Sequence, residues 1–233
     1  MTDGAEPEPP IAELQRIVAD LVDSTGATLD RLAEQVSLAL PARNATAAPA
    51  AFDAFDAICR TTLQSGRGLR GLGFLAAPGE VATVRLWERW WTRTPAGRLV
   101  QGEHDLDQHS PTFYDYSERD WFVQVRSSEA RSAVFGPYVD FNGTNEYTVT
   151  FTRAVRVAAR FLGVVAADMH IDQIESQVEP ALHGFASAVV LLNDQQRVIA
   201  STTPLHPPGS IVRSAADQIA LPVPPWVLVE VGH

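Results

Sequence analysis

Sulfur is scarce in this chain: 233 residues hold one cysteine, Cys59, and two methionines. One cysteine excludes an intrachain disulfide and any cysteine-based zinc cluster. Cys59 lies in AFDAFDAICRTTL, in helical phase with Phe52 and Phe55, as a small core residue would. Positive charge is scarce as well. Eighteen Lys and Arg stand against 28 Asp and Glu, a net charge of −10, which argues against a nucleic-acid surface. No apolar run approaches the ~18–20 residues of a membrane span. The first ten residues, MTDGAEPEPP, have neither the basic start nor the apolar stretch of a secretory signal. The expectation is a soluble cytoplasmic protein that engages neither nucleic acid nor membrane.

Catalytic signatures are missing too. There is no G-x-S-x-G elbow. The glycine run SGRGLRGLG lacks a P-loop Lys-Ser/Thr and the G-x-G-x-x-G spacing, so it reads as a turn.

What is present is ordinary globular composition, 45% hydrophobic and 20% charged. Residues 1–10 read as disordered. Ile11, Leu14, Val18, Val22, Leu29, Leu32 and Val36 form a helical seam that Gly26 could bend and Pro41 stops. That seam suits either a dimer contact or a helix lying across a sheet. A second helix spans about 48–64. Strands follow in GLGFLAA and VATVRLWERWW, turned by Pro78-Gly79. On the second strand Arg85, Trp87, Arg89 and Trp91 share a face, either as a surface ladder or as a pocket wall carrying Trp87.

A polar loop over 94–113 leads to a short helix near 119–130. Next comes a threonine-alternating strand through Tyr147, Val149 and Phe151, preceded by an NGTNE turn. RFLGVVAADMHI reads as a central strand whose apolar face (Leu162, Val164, Ala166) ends in Asp168, a carboxylate that needs a partner. A helix over 171–183 and a short strand-rich tail complete an α+β chain. We therefore expect a long N-terminal helix, an antiparallel sheet flanked by helices, and a partial second α/β module. The expected divisions are 1–10, 11–66 (helices), 67–183 (ligand-binding module) and 184–233.

Two stretches could carry chemistry. EHDLDQH, with Glu103, His104, Asp105, Asp107 and His109, offers metal-type ligands but sits in a polar loop, and we assign it no metal. YDYSERDWF, residues 114–122, mixes aromatics with charge and suits an ion-pair cluster or a pocket for a small charged molecule. Within it Ser117 and Asp120 fit a helix cap.

Tyr114, Arg119 and Trp121, then P-Y-V-D (137–140), a threonine-rich strand and G-V-V-A-A-D ending at Asp168 resemble the Cache sensor family, nearest its amino-acid-binding double-Cache receptors. The likeness covers roughly residues 10–200. It implies a PAS-like fold and no enzymatic activity or cofactor. Arg119 and Trp121 would hold a ligand carboxylate, while Tyr114, Tyr138, Asp140 and Asp168 would surround its amino group. Phe122 stands where the pattern usually has tyrosine, and Ala154 where proline is common. The chain lacks the membrane helices and signalling domain of the usual receptors and resembles stand-alone soluble members. That likeness implies a sensor of an amino acid or related amine, with Trp87 added to its pocket. It further implies a partner regulator, while the helical seam itself could make a homodimer through the N-terminal helix. The rival reading is an enzyme using Asp168 or the His104/His109 region. A third is an interaction scaffold built on the long helix.

Overall fold

The computed structural model describes residues 9–41, 47–66, 68–81, 84–102, 104–127, 131–139, 147–213, 218–222 and 224–231. The expected disordered start (residues 1–8 of it), Glu103, Asp140 and the NGTNE turn lie outside them. Two compact units emerge: residues 24–170, and residues 1–23 together with 171–233. This division differs from the expected one. The long first helix, α1 (Pro10–Ala39), is shared between the units, and the helix after Asp168 belongs with the C-terminal strands.

Helix α1 runs unbroken through Gly26. A Cβ at Gly26 would lie 3.2 Å from Arg153 Nη2, so the glycine clears a notch for a guanidinium that pairs with Asp30 at 3.1 Å. A glycine in mid-helix costs ~1 kcal/mol relative to alanine. Leu14, Val18, Leu21, Leu29, Leu32 and Val36 are buried within the chain itself, while Ile11 and Val22 are half-exposed. The seam thus faces the protein's own interior.

In the larger unit, a 3-10 turn (Pro49–Phe52) opens α2 (Asp53–Gln64). The six-stranded sheet comprises β1 (Leu69–Ala76), β2 (Glu88–Arg93), β3 (Leu99–Gln101), β4 (Ser132–Val139), β5 (Tyr147–Val157) and β6 (Arg160–His170). They run antiparallel in the order β3-β2-β1-β6-β5-β4, with α3 (Asp120–Ser127) after the long loop.

The glycine run expected to be a turn enters β1. Gly71 and Gly73 are strand residues because Trp90 of β2 lies across them. A Cβ at Gly71 would sit 2.7 Å from the indole, and one at Gly73 would sit 2.6 Å from it and 2.5 Å from Arg89 O. Glycine here removes a side chain so that tryptophan can lie flat.

Strand β2 begins only at Glu88, and its faces differ from the expected ladder. Trp87, Arg89 and Trp91 turn toward α2, not toward solvent or a pocket. Trp87 packs on Phe52 (5.1 Å between rings) and Phe74 (6.2 Å). Arg89 Nε and Trp91 Nε1 donate to Asp56 Oδ1 at 3.0 and 2.8 Å. Cys59 is buried on the same helix, and burial pushes its thiol well up, as befits a core residue.

In β4 the register against β5 slips between Phe135 and Tyr138. Gly136, at φ +106, makes the bulge; a Cβ there would meet Thr148 O at 2.5 Å. One extra residue reverses the alternation, so Tyr138 falls on the same sheet face as Thr150.

The second unit contains residues 10–23 of α1, α4 (Ile171–Leu182) and a four-stranded antiparallel sheet. Its strands are β7 (Val189–Leu192), β8 (Val198–Ser201), β9 (Gln218–Ala220) and β10 (Val227–Glu230), ordered β8-β7-β10-β9. Val190, Leu192, Val198, Val212 and Val229 form its core.

Candidate functional site

Residues 114–122 supply one wall of a cavity by sending successive side chains to different jobs. Tyr116 is fully buried, and its hydroxyl lies 2.7 Å from Ala76 O and 2.9 Å from Trp87 O, where β1 and β2 part. It also accepts from Trp87 N–H at 3.0 Å. Burial raises its ionisation far above the usual tyrosine value, so the phenol stays a neutral staple.

Asp115, not Ser117, caps the 3-10 turn at 116–118. It accepts from Ser117 N–H at 3.0 Å and from Arg85 Nη1 at 2.8 Å. Burial alone would raise its pKa, but the bonds from Ser117 and Arg85 outweigh that and hold the carboxyl below its usual range. Asp120 opens α3.

With the stretch so anchored, Tyr114 and Trp121 reach the cavity. Its lining is Leu75 and Trp90 (β1, β2), His104, Tyr114 and Trp121, and Tyr138, Thr150, Ala166 and Asp168 (β4, β5, β6). The cleft encloses about 420 Å³ including its open mouth.

At its polar end Thr150 Oγ1 donates to Asp168 Oδ1 at 2.6 Å, and the Tyr138 hydroxyl lies 2.6 Å from Thr150 Oγ1. Thr150 has one proton and gives it to the carboxylate, so Tyr138 donates to Thr150. The relay Tyr138–Thr150–Asp168 crosses three strands and fixes the acid that ends the apolar face of β6.

Much of the remaining lining is aromatic. Tyr114 stacks on His104 (4.5 Å, 18°), and His104 meets Trp90 edge-on at 6.3 Å. His104 is oriented by Glu88 of β2, with 2.7 Å from Nδ1 to Oε2 and 3.2 Å from its backbone N–H to Oε1.

Of the expected site residues, Tyr114, Trp121, Tyr138 and Asp168 line this cavity together. Arg119 is exposed and lies over the Tyr114 ring, 4.7 Å from its centroid. Phe122 is not on the lining. It is fully buried behind it, 5.5–5.7 Å from the rings of Tyr116, Trp121 and Phe161. Trp87 is on the α2 side of the sheet, against Phe52 and Phe74, and Asp140 lies outside the described residues.

Trp90 and Thr150 were not expected in the pocket, and His104 was singled out only as a metal-type ligand or as part of the rival enzyme reading. Thr150 was within reach: it alternates with Val149 and Phe151 and sits across from Asp168. His104 and its neighbours read in the sequence as metal-type ligands, and the structure gives them other partners. His104 is tied to Glu88, and Asp105 accepts from Ser110, from Thr112 (2.7 Å) and from Asp107 N–H (3.1 Å), bonds that lower its pKa. Among the described residues no group of three acids, histidines or cysteines could hold a metal. In the C-terminal unit a separate groove of about 610 Å³, including its open mouth, lies between α4 and β8, lined by Asp172, Glu175, Glu179, Ser201 and Thr202 among others.

Residues 97–176 match the family model described as the methyl-accepting chemotaxis protein-like first PDC sensor domain. No curated protein sequence matches the chain. Among solved structures, methyl-accepting chemotaxis protein X is similar at 15% identity and TM-score 0.63, over 95% of this chain and 96% of that one. The extracellular domain of histidine kinase soHK1S-Z6 is similar at 15% identity and TM-score 0.62, over 94% and 89%. The ligand-binding domain of Campylobacter jejuni chemoreceptor Tlp3 with L-valine is similar at 14% identity and TM-score 0.58, over 91% and 81%. At such identities the likeness is one of fold. The chain is thus similar to PDC-type, Cache-like sensor domains, in sequence across residues 97–176 and in fold along most of its length.

Proposed function

We propose that this protein is a non-enzymatic sensor that binds a small ammonium-bearing molecule, an amino acid or a related amine, in the cavity at Asp168. The observation that carries the reading is the Asp168 carboxylate, fixed by Thr150 and facing a cleft walled by Trp90, Tyr114 and Trp121. A carboxylate beside aromatic rings favours a cation over a neutral or anionic ligand. The fold shared with a chemoreceptor domain solved in complex with L-valine supports an amino acid in particular.

The ligand state would pass to a partner regulator or a second copy, through a surface other than the apolar seam of α1, which the chain itself buries. Sizing with light scattering at several concentrations tests the second copy. Location is part of the proposal: the acidic composition fits the cytoplasm, whereas one protein of similar fold is the extracellular domain of a histidine kinase. Cell fractionation separates the two.

The direct test is a thermal-shift and calorimetric screen of L-amino acids and amines. A ligand at 100 times its dissociation constant adds ~2.7 kcal/mol to stability. A shift in the wild type that disappears in Asp168→Asn supports the reading. No shift with any compound, or shifts equal in the two proteins, rejects it.

A further inference from the structure

We propose that the indole N–H of Trp90 is a ligand-binding donor, and that the ligand offers it an oxygen acceptor on the carbon next to its ammonium-bearing carbon. This rests on the reading of the Asp168 cavity as an ammonium site and narrows the ligand class within it. Trp90 is 2% exposed and lines the cavity. Its Nε1 is buried with no hydrogen-bond partner among the described residues. Indole nitrogen can only donate, and buried donors are nearly always paired.

The position of this N–H follows from the two glycines beneath it. Trp90 sits directly across from Gly73, and the indole leans along β1 toward Gly71, so that Nε1 lies 3.1 Å from where a Gly71 Cβ would be. Gly71 in turn is directly across from Asp168. Residues paired across a sheet share a face. The donor therefore lies over the β1 position next to the carboxylate, on the same face.

Packing does not ask for this group. Phenylalanine would cover the two glycines without burying a lone donor. An adjacent acceptor and donor, Asp168 and Trp90, match a ligand with an adjacent ammonium and oxygen. An α-amino acid has that pair of groups, and a 2-amino alcohol has it as well. A simple amine satisfies Asp168 and leaves Trp90 unpaired.

The test uses the full chain, the twenty L-amino acids and the corresponding decarboxylated amines, with Trp90→Phe as the variant. Calorimetry is expected to show Trp90→Phe binding the preferred amino acid about three- to tenfold more weakly, the range of one net hydrogen bond. Its affinity for the matched amine should fall less, because phenylalanine keeps a ring face for the ammonium and loses only the donor; equal losses for the two ligands overturn the inference. In the 15N-labelled wild type, which has five tryptophans, the Trp90 indole signal should move downfield on saturation with the amino acid. Contacts to the Gly71 protons assign that signal even if the variant does not fold.

Equal binding of the amino acid by Trp90→Phe, or an indole signal that does not move, overturns the inference while the ammonium site stands. A signal already downfield and slow to exchange in the free protein shows a resident water as the partner, and also overturns it. Binding of none of these compounds by the wild type rejects the functional reading and the inference together.

Discussion

Arg119 holds its guanidinium over the ring of Tyr114, 4.7 Å from the centroid, and so reaches the cavity through a residue that lines it. The arginine is exposed, which limits the stacking to about 0.5–1 kcal/mol of stability. A ligand carboxylate at this end would gain more, about 1.5–3 kcal/mol, from a charge-assisted bond. Arg119→Ala should therefore lower stability by less than ~1 kcal/mol in urea melts. It should weaken amino-acid binding about tenfold or more and spare the matched amine. Arg119→Lys should restore only part, because an ammonium lacks the planar fork. Equal losses for both ligand classes would show that Arg119 serves only the fold.

At the carboxylate, Asp168→Asn keeps an acceptor for Thr150 and removes the charge. Binding of an ammonium ligand should fall about 10- to 100-fold by calorimetry, with little change in the denaturant midpoint. Thr150→Val breaks the relay instead, leaving Tyr138 and Asp168 each without the bond it now makes. That variant should lose about 1–3 kcal/mol of stability and bind more weakly through a loosened carboxylate.

The glycines under Trp90 give a test of packing. A methyl at Gly73 meets backbone, Arg89 O at 2.5 Å, which cannot swing aside, whereas at Gly71 the nearest atoms belong only to the Trp90 ring. Gly73→Ala should cost about 1–3 kcal/mol by overpacking. Gly71→Ala should cost less stability but push the indole over the cavity, so its larger effect should be on ligand affinity. Denaturation and binding measured on both variants check the contrast.

How much of this was legible in the sequence depended on parity. The run Leu162–Val164–Ala166–Asp168 announced an acid at the end of an apolar strand face, and β6 presents it so. Tyr114, Trp121 and Tyr138 were found through the resemblance. Alternation alone would have put Tyr138 on the wrong face, because the Gly136 bulge resets the register. In VRLWERWW the even and odd tryptophans go to opposite faces, and only the tertiary arrangement says which face has α2 and which the cavity. Trp90 was thus illegible although its neighbours were identified. Phe122 follows Trp121 on a helix, where one residue turns the side chain by about 100°; that step takes it from the lining into the core. His104 is placed by Glu88, sixteen residues earlier, a pairing that no local pattern reveals.

The groove of the C-terminal unit yields a prediction about pH. Glu175 on α4 is half-buried, with Asp172 and Glu179 on the same helix and groove. Burial is the larger cause, and the two neighbouring carboxylates add to it, so the pKa of Glu175 is raised. In the unfolded chain it returns to the ordinary range. The folded state therefore binds the proton more tightly, and the stabilisation is full below the unfolded pKa. It is lost as pH rises through the higher folded value. At neutral pH the ionised form is a liability, and Glu175→Gln removes it while keeping the shape. The variant should melt at a higher temperature than the wild type at pH 7, and the two curves should converge as pH falls below about 4, the ordinary range for glutamate. Melting series from pH 3 to 8 check this. A gap that stays constant across the range would assign the gain to packing, not to charge.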